Sequence, residues 1–251
     1  MKILSWNVWS ENVSITKAIR FLKKQKADII CLQEVSKKFL QKLKKLPKYQ
    51  LVCAIDFYYI KSKKRKTPYF LVMLSKISID THKAFQIPTV QYDSIIAQIF
   101  GLEECIEGQY IDVMYKDQKI RIFNVHFQSY VRPKIRLRQF ESVIQQFNNT
   151  THNIVCGDFN TFGFWHFNVV VGWIYNYSWE EFFMDEKTLL DERLKRYKLI
   201  NIFNWEVTYP WLGVQLDFIL TQKNAKVRGK QVFQETFGSD HRPILANVHI
   251  T

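Results

Sequence analysis

The chain has 251 residues, 47% of them hydrophobic, with only eight glycines and six prolines. That supplies a large interior and excludes a disordered chain or a solenoid of short repeats. A formal charge of +13 fits a polyanionic partner, nucleic acid first and an acidic membrane surface second, or a plain lysine-rich surface.

Residues 2–9 read as a strand that stops at Asn7, Trp9 and Ser10. It opens the sequence directly, so no signal peptide is expected ahead of it. Ser14 can cap a helix whose apolar positions are Ile15, Ala18, Ile19 and Leu22. Asp28 to Leu32 is a short apolar run typical of a buried strand, and it delivers Gln33 and Glu34 at its end. A lysine-rich helix with Phe39, Leu40 and Leu43 inside follows. Tyr49 to Ile60 and Tyr69 to Leu74 are expected strands around a basic loop, Lys61 to Lys66.

Between 76 and 118 the register is hard to read, with strands expected at Ile95 to Phe100 and Tyr110 to Tyr115. Ile120 to Phe127 alternates and places His126 near its end. A helix follows, with Phe140, Val143, Ile144 and Phe147 inside and Arg132, Lys134, Arg136 and Arg138 spread around its start. Asn153 to Cys156 is another buried strand, ending at Gly157-Asp158-Phe159-Asn160. Residues 161–215 are aromatic and irregular, with one helix near Leu189 to Tyr197. Val214 to Leu220 is a strand carrying Asp217, and Ile244 to Ile250 is the last. Strands outnumber helices and short connections are common. This suits two packed sheets with helices outside better than a doubly wound sheet. No linker is evident, so residues 1–251 are expected to form a single domain.

The four cysteines, at 31, 53, 105 and 156, form no close-spaced pair. Cys31 and Cys156 lie in apolar runs and are expected to be reduced core residues, which favours a reducing, cytoplasmic location. The longest apolar stretch, Val169 to Ile174, is too short to span a bilayer. The tryptophans at 165, 173, 179, 205 and 211 either stack bases, dip into lipid or fill the core, and core packing is the expectation for most.

Asn7, Glu34, His126, Asp158 with Asn160, and Asp240 with His241 all end apolar runs. Carboxylates to hold a hard cation and position water, amides to steer oxygens and imidazoles to handle protons are the parts of metal-assisted phosphoester hydrolysis. Asp158 and Asn160 are two apart, so in extended backbone they share a face. A lone carboxylate inside an apolar strand is costly, so Asp217 needs a partner, and His241 is the expected one.

Six segments occur in an order that resembles the endonuclease/exonuclease/phosphatase superfamily. They are Leu4-Ser5-Trp6-Asn7, Ile30-Cys31-Leu32-Gln33-Glu34-Val35, Asn124-Val125-His126, Gly157-Asp158-Phe159-Asn160-Thr161, Leu216-Asp217-Phe218-Ile219 and Ser239-Asp240-His241-Arg242-Pro243. The resemblance implies a four-layered α/β sandwich, two mixed sheets flanked by helices, with the site at one edge. It implies Mg²⁺ or Mn²⁺ dependence and phosphoester cleavage. Carried residue by residue, it makes Glu34, Asn7 and Asp240 the metal side. Asp158, Asn160, His126, His241, Asp217 and Asn7 form the catalytic set, and Asn160 and Arg138 are substrate contacts. His126 sets the chain apart from the abasic-site branch, which uses tyrosine nearby. The expected substrate is DNA or RNA, with a lipid or inositol phosphate as the alternative and a catalytically silent nucleic-acid-binding member as the third. A monomer is expected.

Overall fold

The computed structural model describes residues 1–62, 65–90, 102–103, 107–129, 131–162, 172–173 and 177–250. Its strands are β1 (Lys2–Asn7), β2 (Ile29–Val35), β3 (Gln50–Ser62), β4 (Arg65–Ser75), β5 (Ile79–Gln86), β6 (Leu102–Glu103), β7 (Glu107–Tyr115), β8 (Gln118–His126), β9 (His152–Asp158), β10 (Leu199–Asn201), β11 (Asp217–Gln222), β12 (Lys226–Val232) and β13 (Ile244–His249). The helices are α1 (Ile15–Gln25), α2 (Lys37–Leu43), α3 (Pro133–Ile144), α4 (Trp179–Phe182) and α5 (Glu186–Arg196).

Two mixed sheets result. One runs β12-β13-β1-β2-β4-β3-β6, the other β10-β11-β9-β8-β7-β5. The pairs β1·β2 and β8·β9 are parallel, and the other named pairs are antiparallel. The two-residue period of a strand divides the central residues between two apolar layers. Ile3, Ile29, Cys31, Ile122, Ile154 and Cys156 face inward and fill the space between the sheets. Leu4, Trp6, Ile30 and Leu32 point the other way, under Phe21 and Leu22 of α1 and Phe39 and Leu40 of α2. Phe123, Val125 and Val155 do the same beneath Phe140 of α3 and Leu190 of α5. Strands buried on both faces must be apolar throughout, which is why they read as short continuous runs. Each large apolar side chain so buried contributes about 1.5–3 kcal/mol. The layers are thus helix, sheet, sheet, helix.

Several local expectations need correction. Ser14 holds the N-cap position of α1 but makes no side-chain cap, and its backbone N–H goes to Asn12 Oδ1 at 2.8 Å. Of the basic stretch 61–66, expected as a loop, Lys61 and Ser62 end β3 and Arg65 and Lys66 open β4, with Ser62 paired to Arg65. Strand β5 was not expected, because it is an edge strand with mostly exposed residues and no apolar run. The expected strand at 95–100 lies outside the described residues. Val214 is not in β11 but bridges Tyr209 across a short loop. Among the described residues no helix is long and apolar enough to cross a membrane. Cys31 and Cys156 are buried and unbridged.

Candidate active site

Four strands deliver their last or first polar residue to one edge of the sandwich. Asn7 ends β1, His126 ends β8, Asp158 ends β9, and Asp217 begins the antiparallel β11. In register, His126 lies opposite Asp158 and Asp217 opposite Asp158 on its other side. Gly157 makes this approach possible. Its φ is +148°, and a Cβ there would collide with the Val125 carbonyl oxygen. The loop carrying Asp240 and His241 turns at Gly238, whose φ is +89° and whose missing Cβ leaves room for Ser14. That loop is fastened by Ser239 Oγ, which donates to the Asn7 carbonyl at 2.7 Å and accepts from His241 N at 3.0 Å. The Trp6 indole also donates to the His241 carbonyl at 3.1 Å.

Glu34 arrives differently. The β2–β4 pairing slips between Leu32 and Val35, and Glu34 takes a left-handed φ of 56°. Such a conformation costs of order 1–3 kcal/mol and persists where surroundings over-determine it. Here its N–H donates to Asp56 Oδ2 at 2.7 Å, and its carboxylate accepts from Ser10 N at 2.9 Å. Asp56 itself sits at a second slip, between Ile55 and Phe57 of β3. Bulges at strand ends re-aim side chains, and these two aim Glu34 and Asp56 into one pocket.

Asn7 Nδ2 joins the carboxylates, donating to Glu34 Oε1 and to Asp158 Oδ2, both at 2.9 Å. Its Oδ1 accepts from Trp9 N at 3.0 Å. An NH₂ group has no lone pair for a cation. So oriented, Asn7 ties Glu34 to Asp158, and its Oδ1, the atom expected to face a metal, meets Trp9 N. Asn160 Nδ2 donates to the Phe127 carbonyl at 2.8 Å, and its own N–H goes to Asp158 Oδ1 at 2.9 Å.

Two imidazoles converge on Asp158 Oδ2, His241 Nε2 at 3.7 Å and His126 Nε2 at 3.8 Å. Each is backed by a buried carboxylate. Asp217 Oδ2 meets His241 Nδ1 at 2.8 Å, and Asp56 Oδ1 meets His126 Nδ1 at 2.9 Å. Burial pulls both imidazoles down, but the carboxylates win. Asp217 and Asp158 push His241 up to about 10, and Asp56, Asp158 and Glu34 hold His126 well above its ordinary value. Burial raises the Asp158 carboxyl to about 6, with His241 pulling back and Asp217 adding to the rise. Asp240 Oδ1 lies 4.0 Å from His241 Nε2, and its carboxyl is likewise raised, first by burial. The Tyr209 ring lies 4.9 Å from the His241 ring.

Two groupings could hold a cation. Asp158, Asp217 and His241 each place a ligand atom within 4.8 Å of the others. Asp217 is already committed to His241 Nδ1, however, and a protonated imidazole cannot ligate. Glu34 and Asp240 keep 18% and 27% of their side chains exposed, enough for a cation that retains water. The pocket's acidic oxygens suit a hard divalent ion.

The structure therefore brings together Asn7, Glu34, His126, Asp158, Asn160, Asp217, Asp240 and His241. It does not bring Arg138, which is exposed on α3 with no contact to this group among the described residues. Arg136, its neighbour, is buried against Glu186 instead. Sequence reasoning missed Asp56. The available signal was the same as for Asp217, a carboxylate inside an apolar strand. Core packing was also the wrong expectation for three tryptophans. Trp173, Trp179 and Trp211 are 76%, 72% and 80% exposed, while Trp165 lies outside the described residues.

The sequence profile of the Endonuclease/Exonuclease/phosphatase family matches residues 4–241. No curated protein matches the chain by sequence. Among solved structures, an endonuclease/exonuclease/phosphatase family protein from Leptotrichia buccalis superposes with a TM-score of 0.70 at 18% identity, with all of both chains covered. The human Nocturnin catalytic domain with bound sulfate gives 0.71 at 16%, covering 100% of this chain and 93% of that one. D. rerio TDP2 complexed with single strand DNA product gives 0.68 at 15%, covering 99% and 98%. These likenesses show a shared fold. With a profile match over nearly its whole length, the chain belongs to the endonuclease/exonuclease/phosphatase family, whose members are metal-dependent phosphoesterases such as nucleases and phosphatases.

Proposed function

We propose that this chain is a phosphodiester hydrolase that uses Mg²⁺ or Mn²⁺ and acts on nucleic acid. The observation that carries the reading is the pair of carboxylate-backed imidazoles facing Asp158 from two sides. An anionic phosphate is well received between two cationic rings, and an ionised carboxylate beside them can hold a water. Glu34 and Asp240 would hold the divalent cation, which would supply charge neutralisation on the phosphate.

The chain's own groups do the rest. Asp158, ionised above about pH 6, orients the water and takes its proton as the water oxygen bonds to phosphorus. The ester P–O bond opposite breaks, and His126 gives the leaving oxygen a proton. His241, fixed by Asp217, stabilises the crowded phosphorus in between. Asn160 spends one amide hydrogen on Phe127 and has a second to offer a phosphate oxygen. Asn7 holds Glu34 and Asp158 in place. The solved TDP2 complex with a single-strand DNA product, on the same fold, supports nucleic acid as the first substrate to try.

A second reading has its own observation. Trp173 and Trp211 lie on loops that leave or enter the catalytic ends of β9 and β11, and exposed tryptophans there fit a substrate presented by a lipid surface.

The test is turnover of bis-p-nitrophenyl phosphate, DNA, RNA, sphingomyelin and inositol phosphates, each with Mg²⁺ and with EDTA. Glu34→Ala and Asp158→Asn are expected to lower turnover by about 10³-fold or more with an unchanged circular dichroism spectrum. Near-normal hydrolysis by either purified variant would refute the assignment. Turnover confined to sphingomyelin or inositol phosphates would select the second reading.

A further inference from the structure

Basic residues reach both edges of the sandwich: Lys37 and Lys38 open α2, Arg132 and Lys134 open α3, and Lys61, Arg65 and Lys66 lie in the β3–β4 hairpin on the catalytic side, while a separate set of lysines gathers away from the pocket. β1, β2, β8 and β9 all run toward the catalytic edge, so the turns before them, and the ends of the antiparallel strands β4, β7, β11 and β13, form the opposite edge. Helices α1 and α2 start at the catalytic edge and end at the opposite one, on lysines 23–24 and 44–45.

Four turns of this far edge carry an exposed lysine at positive φ: Lys26 (52°), Lys48 (70°), Lys116 (51°) and Lys198 (55°). Glycine or asparagine fits such a turn with less strain, by about 1 kcal/mol. Lysine stands at all four despite that cost. Lys76 and Arg228 stand between them. The Lys76 ammonium is pushed below its ordinary value by burial and, against the pull of Asp28, by Lys2, Lys26 and Lys48. His249 is lowered mainly by Arg228, with Lys116 adding to it. The turns between these strands hold few acids, Asp28, Asp80 and Asp117, with Asp28 taken by the Lys2 backbone N–H at 2.7 Å; Glu192 lies near the end of α5, and Glu141, in the last turn of α3, is paired with Arg193 at 3.1 Å. The pocket itself gathers five carboxylates, Glu34, Asp56, Asp158, Asp217 and Asp240.

We infer that the edge opposite the pocket is a second, non-catalytic surface that binds the phosphate backbone of a nucleic acid. Its charges are almost all lysines, point charges that neutralise phosphates without reading bases. A bilayer is the weaker occupant. Among the described residues the exposed tryptophans, side chains that anchor a protein in a lipid interface, are Trp173, Trp179 and Trp211, and none of these lies among these turns. Because this surface faces away from the pocket, a strand held on it is not the strand being cut. The protein would be tethered to one segment while its site remains open to another. The inference does not depend on the catalytic reading.

Binding of a short fluorescein-labelled DNA duplex, followed by anisotropy in EDTA over a salt series, tests it. In Lys48→Gln/Lys116→Gln/Lys198→Gln the affinity at low salt is expected to fall by at least tenfold. The slope of log affinity against log salt should shrink by about 2–3, near 0.9 for each phosphate that a lysine no longer neutralises. The control Lys37→Gln/Lys38→Gln/Lys83→Gln removes equal charge elsewhere and should change little. Both variants should keep the parent's circular dichroism spectrum and its turnover of bis-p-nitrophenyl phosphate. Equal falls in affinity in the two variants would mean diffuse attraction and overturn the proposal. So would the absence of duplex binding by the parent protein, or binding to phosphatidylserine vesicles in its place.

Discussion

Asp56 shows how much of the chemistry one side chain can govern here. Its carboxylate is 1% exposed and spends both oxygens inside the pocket, one on the Glu34 backbone N–H and one on His126 Nδ1. It thus holds the strained Glu34 backbone and the charge state of His126 together. Asp56→Asn removes the negative charge that raises His126, so the imidazole should titrate at lower pH. NMR titration of His126 in EDTA measures that shift directly. Turnover of bis-p-nitrophenyl phosphate should fall by about 10–100-fold, mostly in kcat, the scale expected of a group acting through another. An unmoved His126 titration would show that Asp56 is only a packing residue. Asp217 and His241 form the same unit on the other side, and there the pairing was legible. A carboxylate in Leu216-Asp217-Phe218 demanded a partner, whereas Asp56 in Ile55-Asp56-Phe57 went unnoticed beside a basic stretch.

At the scale of elements, α3 and α5 are joined by a buried ion pair. Arg136 and Glu186 are 2% and 1% exposed, and the guanidinium also donates to the Val131 carbonyl at 2.6 Å. Glu186 accepts in addition from Phe162 N at 3.2 Å, which pins the chain just after Asn160 and Thr161. The pair therefore supports the segment that carries Asn160 into the pocket. Arg136→Met would leave Glu186 buried without its cationic partner, costing about 3–5 kcal/mol. The double variant Arg136→Met/Glu186→Leu should recover most of that. Urea unfolding of the two variants decides it, and equal stability of the parent and Arg136→Met would refute the role. Four basic residues in a row of alternating positions gave no hint that one of them was structural. The helix period settled it by turning Arg136 inward while Arg132, Lys134 and Arg138 faced water.

The whole molecule is expected to lose stability in mild acid through a residue far from the pocket. His152 starts β9, is buried, and meets Thr221 Oγ1 of β11 at 2.8 Å. Burial lowers its imidazole to about 4, so it stays neutral in the fold. Between about pH 6.5 and 4 the unfolded chain binds the extra proton, so stability rises with pH across that window and falls as pH drops. A shift of this size amounts to about 3 kcal/mol at the acid end. His152→Gln should remove that part of the slope, seen as a flatter urea midpoint from pH 7 to pH 4. His241, raised to about 10, works in the opposite sense. Its contribution is fully present below its unfolded value near 6.5 and fades as pH climbs through 10. A parent-like slope in His152→Gln would locate the acid sensitivity elsewhere.

From sequence alone came the layered architecture, because strands buried on both faces must be short apolar runs and helices must show one apolar stripe. The same logic marked most of the pocket, since a polar residue ending such a run is exposed to selection by chemistry rather than by packing. Only the tertiary structure decided which amide held which carboxylate, that two bulges aim Glu34 and Asp56 inward, that three tryptophans face water, and that one set of lysines shares the edge opposite the pocket. Each of these depends on direction in space between segments distant along the chain. A one-dimensional pattern records what a residue is, and not what stands across from it.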